Sequence, residues 1–238
     1  MKPDKRTVLV RRHAGIVRIT HWINAMCIGV LLPSGLQIFN AWPSLYWGQH
    51  GADGDPALFS IAAFPAWLTL PAFQDLAAGR RWHFFFAWVF VINGIVYLAH
   101  GLSSGHLRRD LVPRGTELAP RRLWREIADH ARLRFPKGEE ARRYNVLQKL
   151  SYAGVVLLLL PLMVLTGLTM SPGMNAVAPC LADLFGGRQS ARTLHFITAA
   201  LVILFVLVHL AMVLLSGVWN NLRSMITGRY AIQESNHD

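Results

Sequence analysis

The sequence predicts an all-α integral membrane protein built as a four-transmembrane-helix bundle. Three observations carry that expectation. Hydrophobic residues make up 53% of the 238 residues and charged residues only 16%. The apolar residues fall in long blocks, and four of them reach the roughly 20 residues that a helix needs to cross about 30 Å of hydrocarbon. The formal net charge of +11 lies between the blocks rather than inside them, which fits a membrane face better than nucleic acid.

The four blocks place spans at 16–39, 82–101, 147–170 and 193–218 of a single domain covering 1–238. The first is too long for a cleaved signal peptide and too rich in polar detail (Thr20-His21-Trp22, Asn24), and no small-residue cleavage site follows it. Loop charge sets the orientation. The first 18 residues hold six Lys/Arg and one acid, and 101–146 holds eleven Lys/Arg and six acids. The segments 40–81 and 171–192 hold only two Arg each. Both termini and the basic 102–146 loop are therefore expected in the cytoplasm of a bacterial inner membrane, with the other two loops outside.

Residues 57–73 are also apolar, but they number only 17 and include Pro65 and Pro71. A crossing there would put the two basic segments on opposite sides, so this stretch reads as an amphipathic piece on the outer surface. The connection 171–190, with Pro172, Gly173 and Pro179, reads as short and irregular. A short helix near 120–133 would present a solvated charged face. Cys27 and Cys180 offer neither a disulfide framework nor a zinc spacing, and no Cys-x-x-Cys-His is present to attach haem covalently.

Ionisable or metal-binding groups inside a bilayer are costly and point to function. Of ten histidines, His13, His50, His106, His130 and His237 fall in loops or tails and are expected to be solvated. His21, His83, His100, His195 and His209 fall within spans or at their ends. His195 and His209 are 14 residues apart, which at 100° per residue puts them within about 40° of the same face and about 21 Å apart. One metal cannot use both, whereas two stacked cofactors can. Each site then needs a second ligand at matching depth. The first helix starts inside, so His21 pairs with His209. The second starts outside, so His83 pairs with His195. His100, at the inner end of the second helix, is the rival to His83, either as a haem ligand or as an interfacial contact of the inner haem or a quinone.

Four neutral imidazoles in two pairs, with no Asp or Glu in the spans, suit haem iron rather than a carboxylate-bridged di-iron site. A flat haem also needs small residues where it meets a helix, and Gly29, Gly35, Gly94, Gly154 and Gly167 are available. Two histidines per iron leave no open position, so such haems relay electrons.

Several motifs also resemble a family. Arg18-Ile19-Thr20-His21-Trp22-Ile23-Asn24-Ala25 and Ser34-Gly35-Leu36 resemble the first helix of the bacterial cytochrome b561 and nickel-hydrogenase b-subunit family. This family includes the membrane subunits of formate dehydrogenase and thiosulfate reductase. Gly79-Arg80-Arg81-Trp82-His83 resembles the entry to its second helix, Tyr144-Asn145-Val146-Leu147-Gln148-Lys149 the approach to its third, and the 14-residue histidine pair its fourth. The resemblance implies a bundle enclosing two b haems, an outer-face partner that exchanges electrons with the outer haem, and a quinone near the inner one. It implies that Asn145 and His209 border the quinone, with Gln148 a further possible contact. For Asn145, Gln148 and Lys149 the alternative is helix capping and snorkelling.

The outer segment 40–81, with Trp42, Tyr46, Trp47, Trp67 and Pro71, is a candidate docking surface for a soluble oxidoreductase, expected to be of molybdopterin type; the alternative is an interfacial aromatic belt. Two rival functions remain. A self-sufficient quinone-linked oxidoreductase such as a superoxide oxidase would need a cationic funnel, which Arg80, Arg81, Arg188 and Arg192 could supply. A histidine-based proton or metal transporter would be colourless, and the absence of carboxylates from the spans counts against it.

Overall fold

The computed structural model describes residues 6–52, 54–113, 115–132 and 145–234; Tyr144 and His237 lie outside them. In chain order the elements are β1 (Arg6–Arg11), α1 (Gly15–Asn40), β2 (Ser44–Leu45), β3 (Phe59–Ser60), α2 (Leu76–Ser103) and α3 (Pro120–Ala131). They continue with α4 (Val146–Gly154), α5 (Leu160–Met170), α6 (Pro172–Val177), α7 (Cys180–Leu184), α8 (Arg188–Leu215), α9 (Val218–Thr227) and β4 (Arg229–Glu234).

Among the described residues, four helical stretches are long and apolar enough to cross a membrane: α1, α2, α4 running on into α5 (Val146–Met170), and α8. A helix is the natural solution for these blocks, because in hydrocarbon the backbone must satisfy its own polar groups. The chain is thus a multi-pass, predominantly helical membrane protein. α2 and α8 begin earlier than expected, at Leu76 and Arg188, because hydrogen bonding carries a helix past its apolar stretch. α8 stops at Leu215 rather than 218, because Gly217 adopts φ +111° and starts the separate helix α9.

The third span is not uniform. Between α4 and α5 the turn Val155–Leu159 is π-helical, and Pro161 follows directly. Proline brings no N–H to the ladder, so the turn before it widens. Polar residues in the spans are handled locally. Thr20, Ser34, Thr166, Thr169 and Thr198 are buried, and each hydroxyl donates to the carbonyl four residues back. Asn93 donates to the Asn24 side chain at 2.7 Å, linking α2 to α1.

The chain divides into two compact units. One comprises Met1–Trp22, Ile95–Val155 and Phe205–Asp238. Within it β1 and β4 pair antiparallel, with Arg6 opposite Glu234 and Arg11 opposite Arg229. Arg12 stacks over the Tyr230 ring at 4.5 Å, and the Trp22 indole donates to the Met225 carbonyl at 3.1 Å. α3 forms over most of the helix expected near 120–133. It is not only a solvated charged face, because the Glu126 carboxylate accepts the Val146 backbone N–H at 3.2 Å. His13 is also less solvated than expected: burial, reinforced by the Arg12 charge, lowers its pKa to about 4. His106 bonds Asp110 at 2.7 Å.

The other unit comprises Ile23–Gly94 and Val156–Leu204. Residues 57–73 contain no spanning helix; strand β3 pairs with β2, and a single 3-10 turn covers Ala66–Leu68. The Asn40 side chain clamps this segment by bonding both the N–H and the carbonyl of Phe64 at 2.8 Å. The connection 171–190 holds two short helices, α6 and α7, where an irregular loop was expected; prolines at their N-terminal ends suit helix starts. It ends on Gly187 at φ +117°, which lies against the backbone of Gly48. The Gly48 carbonyl accepts from Gln189 and Ser190 at 3.0 and 3.1 Å, and Gly48 N–H donates to Ser190 Oγ at 2.7 Å.

A methyl group at Gly187 would collide with the Gly48 carbonyl and would also sit on a left-handed backbone. Gly187→Ala is expected to destabilise the protein by about 2 kcal/mol or more, read as a lowered midpoint in thermal unfolding in detergent. An unchanged midpoint would show that the Gly48 contact does not hold the start of α8.

Candidate functional site

Each unit brings one pair of the expected histidines together. In the second unit, the ring centres of His83 on α2 and His195 on α8 lie 6.4 Å apart. In the first, those of His21 on α1 and His209 on α8 lie 6.3 Å apart. His100 joins neither pair. Its backbone carbonyl accepts the hydroxyls of Ser103 and Ser104.

The His83 and His195 rings are held by the same device. His83 Nδ1 lies 3.1 Å from both the Leu31 carbonyl and Ser34 Oγ. His195 Nδ1 lies 3.1 Å from both the Met163 carbonyl and Thr166 Oγ1. A carbonyl can only accept, so Nδ1 must carry the proton in each ring. Nε2 is then the unprotonated nitrogen, which is the form that binds a metal. A methyl on Gly35 or Gly167 would stand 3.3 Å from Cε1 of His83 or His195 respectively. These two glycines therefore make room for an imidazole, where sequence alone suggested room for a haem face.

The other pair is built from rings. His209 stacks on Phe205 with centres 5.9 Å apart and planes 16° apart. Tyr152 stands edge-on to both Phe205 and His209, and Trp22 edge-on to His21. His21 Nδ1 is buried with no hydrogen-bond partner.

Both pairs fit iron ligated from two sides. Metal–imidazole bonds of about 2 Å, with about 1.1 Å from nitrogen to ring centre, would set the centres roughly 6.3 Å apart. The described residues contain no group of three or more His, Cys, Asp or Glu able to hold a bare metal ion. Two protein ligands suffice only where the cofactor supplies the remaining ones, as a porphyrin does.

A family model for prokaryotic cytochrome b561 matches residues 12–228. The chain belongs to the prokaryotic cytochrome b561 family. This makes it a membrane electron-transfer protein of the kind that binds b-type haem. It is also 29% identical over 216 residues to the putative protein-methionine-sulfoxide reductase subunit YedZ1 of Azospira oryzae, a match that covers 91% of this chain and 96% of that protein.

In this cytochrome b561 chain, the side chains of Asn145 and Gln148 serve the start of α4. Asn145 Oδ1 accepts the Gln148 N–H at 2.8 Å, and Gln148 Oε1 accepts the Asn145 N–H at 3.3 Å, closing a capping box. Lys149 does not snorkel. It is 7% exposed and donates to both Glu117 oxygens, at 2.8 and 3.0 Å. At the other unit's surface, Tyr46 of the expected docking aromatics is buried, whereas Trp47 is 58% and Trp67 77% exposed. Tyr46 is used instead as an anchor, its carbonyl accepting the Thr193 hydroxyl at 2.7 Å.

Sequence reading missed Leu31, Met163, Ser34 and Thr166 as partners of the histidines. The available signal was a repeated Ser/Thr-Gly-Leu triplet, at 34–36 and 166–168.

The cap at α4 can be tested directly. Asn145→Ala is expected to cost about 1 kcal/mol of stability, measured by thermal unfolding, with Asn145→Asp retaining most of it.

Proposed function

We propose that His83 with His195, and His21 with His209, ligate two b haems, and that the chain carries electrons between a membrane quinone and a redox enzyme on the outer face. The observation that carries this reading is the pair of ring separations, 6.3 and 6.4 Å, each matching one iron held from both sides. Each haem, when bound, takes up and releases one electron at a time. His83 with His195, and His21 with His209, would each hold one haem through two imidazoles, which would leave the iron no position open to substrate.

The family resemblance, and the presence of His209, Asn145 and Gln148 in one unit, support a quinone bound near these three residues. The loop charges support cytoplasmic termini, and an even number of spans agrees with the pairing of β1 and β4. The exposed Trp47 and Trp67 support a docking surface on the opposite side. The partner is proposed to be a soluble molybdopterin oxidoreductase, and the name of the Azospira relative suggests one that reduces methionine sulfoxide in proteins.

The self-sufficient oxidase reading loses part of its funnel. Arg192 donates to the carbonyls of Trp42 and Ser44, and Arg188 to that of Met170 at 2.7 Å. Both are occupied in holding the backbone.

Reduced-minus-oxidised spectra with a pyridine haemochrome count on the purified chain should show low-spin b-type bands and two haems. His83→Ala and His195→Ala are each expected to remove one and the same haem, His21→Ala and His209→Ala the other, and His100→Ala neither. A colourless protein would sink the reading in favour of a transporter. Loss of a haem from His100→Ala would reassign one pair.

A further inference from the structure

The segments that hold His83 and His195 repeat one another. On α1, Leu31-Leu32-Pro33-Ser34-Gly35-Leu36 presents a carbonyl, a hydroxyl three residues on and a glycine four residues on to one imidazole. On α5, Met163-Val164-Leu165-Thr166-Gly167-Leu168 presents the same set to the other. The distances agree: 3.1 Å from Nδ1 to each carbonyl and to each hydroxyl.

The hydroxyls need not be there for the carbonyls to bind. Each already spends its proton within its own helix, Ser34 on the Val30 carbonyl and Thr166 on the Leu162 carbonyl, both at 2.7 Å. Each can therefore meet the imidazole only with an oxygen lone pair, and the Nδ1 proton is shared between two acceptors. Both hydroxyl residues are 0% exposed, so water does not compete. The contrast lies in the other pair, where His21 Nδ1 is buried with no hydrogen-bond partner among the described residues.

We propose that Ser34 and Thr166 are positioning residues for electron transfer. By accepting from Nδ1–H beside the carbonyls they hold the turn of both rings, give the imidazoles partial anionic character, and so lower the reduction potential of the His83–His195 site. The physical basis is that a second acceptor on the remote N–H strengthens the ligand's electron donation, and a stronger donor favours the oxidised metal. The inference rests on His83 and His195 being the ligands proposed above.

The test uses the purified, haem-loaded full chain. Ser34→Ala, Thr166→Val and the double variant remove the hydroxyls, and Ser34→Thr and Thr166→Ser keep them. Potentiometric titration should show one midpoint rising in the double variant by about tenfold in the oxidation equilibrium, about 59 mV for a one-electron couple, with the other midpoint unmoved. The low-spin EPR g-values of the same component should shift as the rings turn, and the hydroxyl-keeping variants should stay near wild type. If the hydroxyls only back-bond their helices, both midpoints and g-values will be unchanged at full haem content, and the proposal is overturned. Should the first variants lose haem, Ser34→Cys and Thr166→Cys, similar in size but weak acceptors, take their place with the same criteria. A wild-type chain with one haem, or a His83→Ala chain that keeps both, would instead refute the ligand assignment and leave this step without its premise.

Discussion

Each backbone carbonyl in a membrane helix spends one lone pair on its own helix, and no water is present to satisfy a polar side chain. An imidazole placed between such helices must nevertheless satisfy its second nitrogen. At His83 and His195 a carbonyl with a spare lone pair does so, Leu31 on α1 and Met163 on α5. Glycine four residues on lets the ring approach that carbonyl, and a hydroxyl that bonds its own helix can stand beside it without becoming an orphan. Proline lies close by in both cases, at Pro33 and Pro161. Much of what is unusual in these spans, from their small residues to their buried hydroxyls, answers the needs of two rings.

The same turn of α8 that carries His195 also anchors the connection that follows α1. Arg192 grips the carbonyls of Trp42 and Ser44 and lies over the Phe39 ring at 5.7 Å, while Thr193 holds the Tyr46 carbonyl. Phe39 in turn stacks on Phe196 at 4.7 Å. Residues 192, 193 and 196 bracket the histidine. A protein resting on Trp47 would thus bear on backbone bonded directly to the helical turn that holds the ring. Electron transfer between proteins needs a short and reproducible path, and this wiring supplies reproducibility through ordinary hydrogen bonds rather than through a mobile loop.

The parts legible in the sequence were those governed by one-dimensional rules. Span length follows from apolar runs, and the pairing of His21 with His209 and of His83 with His195 follows from helix phase and the direction of each crossing. The cradles were not legible, because a Ser or Thr in a membrane helix looks the same whether it bonds only its own turn or also meets a ring. Lys149 was misjudged for a related reason. A lysine near a helix start is normally free to reach water, and its burial depends on Glu117, which lies beyond a long basic stretch. The β1–β4 pairing escaped notice because short charged segments carry no strand periodicity until the two ends of the chain meet.

The two histidine pairs are unequal in their surroundings, and that inequality has a use in a wire. His83 and His195 meet acceptors at their remote nitrogens, whereas His21 and His209 sit among Trp22, Tyr152 and Phe205. If both pairs ligate haem as proposed, identical ligands in different shells would give different potentials. The unit that holds His21 and His209 also carries polar duties. Asn145 and Gln148 close a helix cap, and Glu126 holds the N–H of Val146. A cap does not prevent these groups from meeting a quinone, since an amide oxygen has two lone pairs. It would tie any such contact to the position of α4, because the same two side chains start the helix.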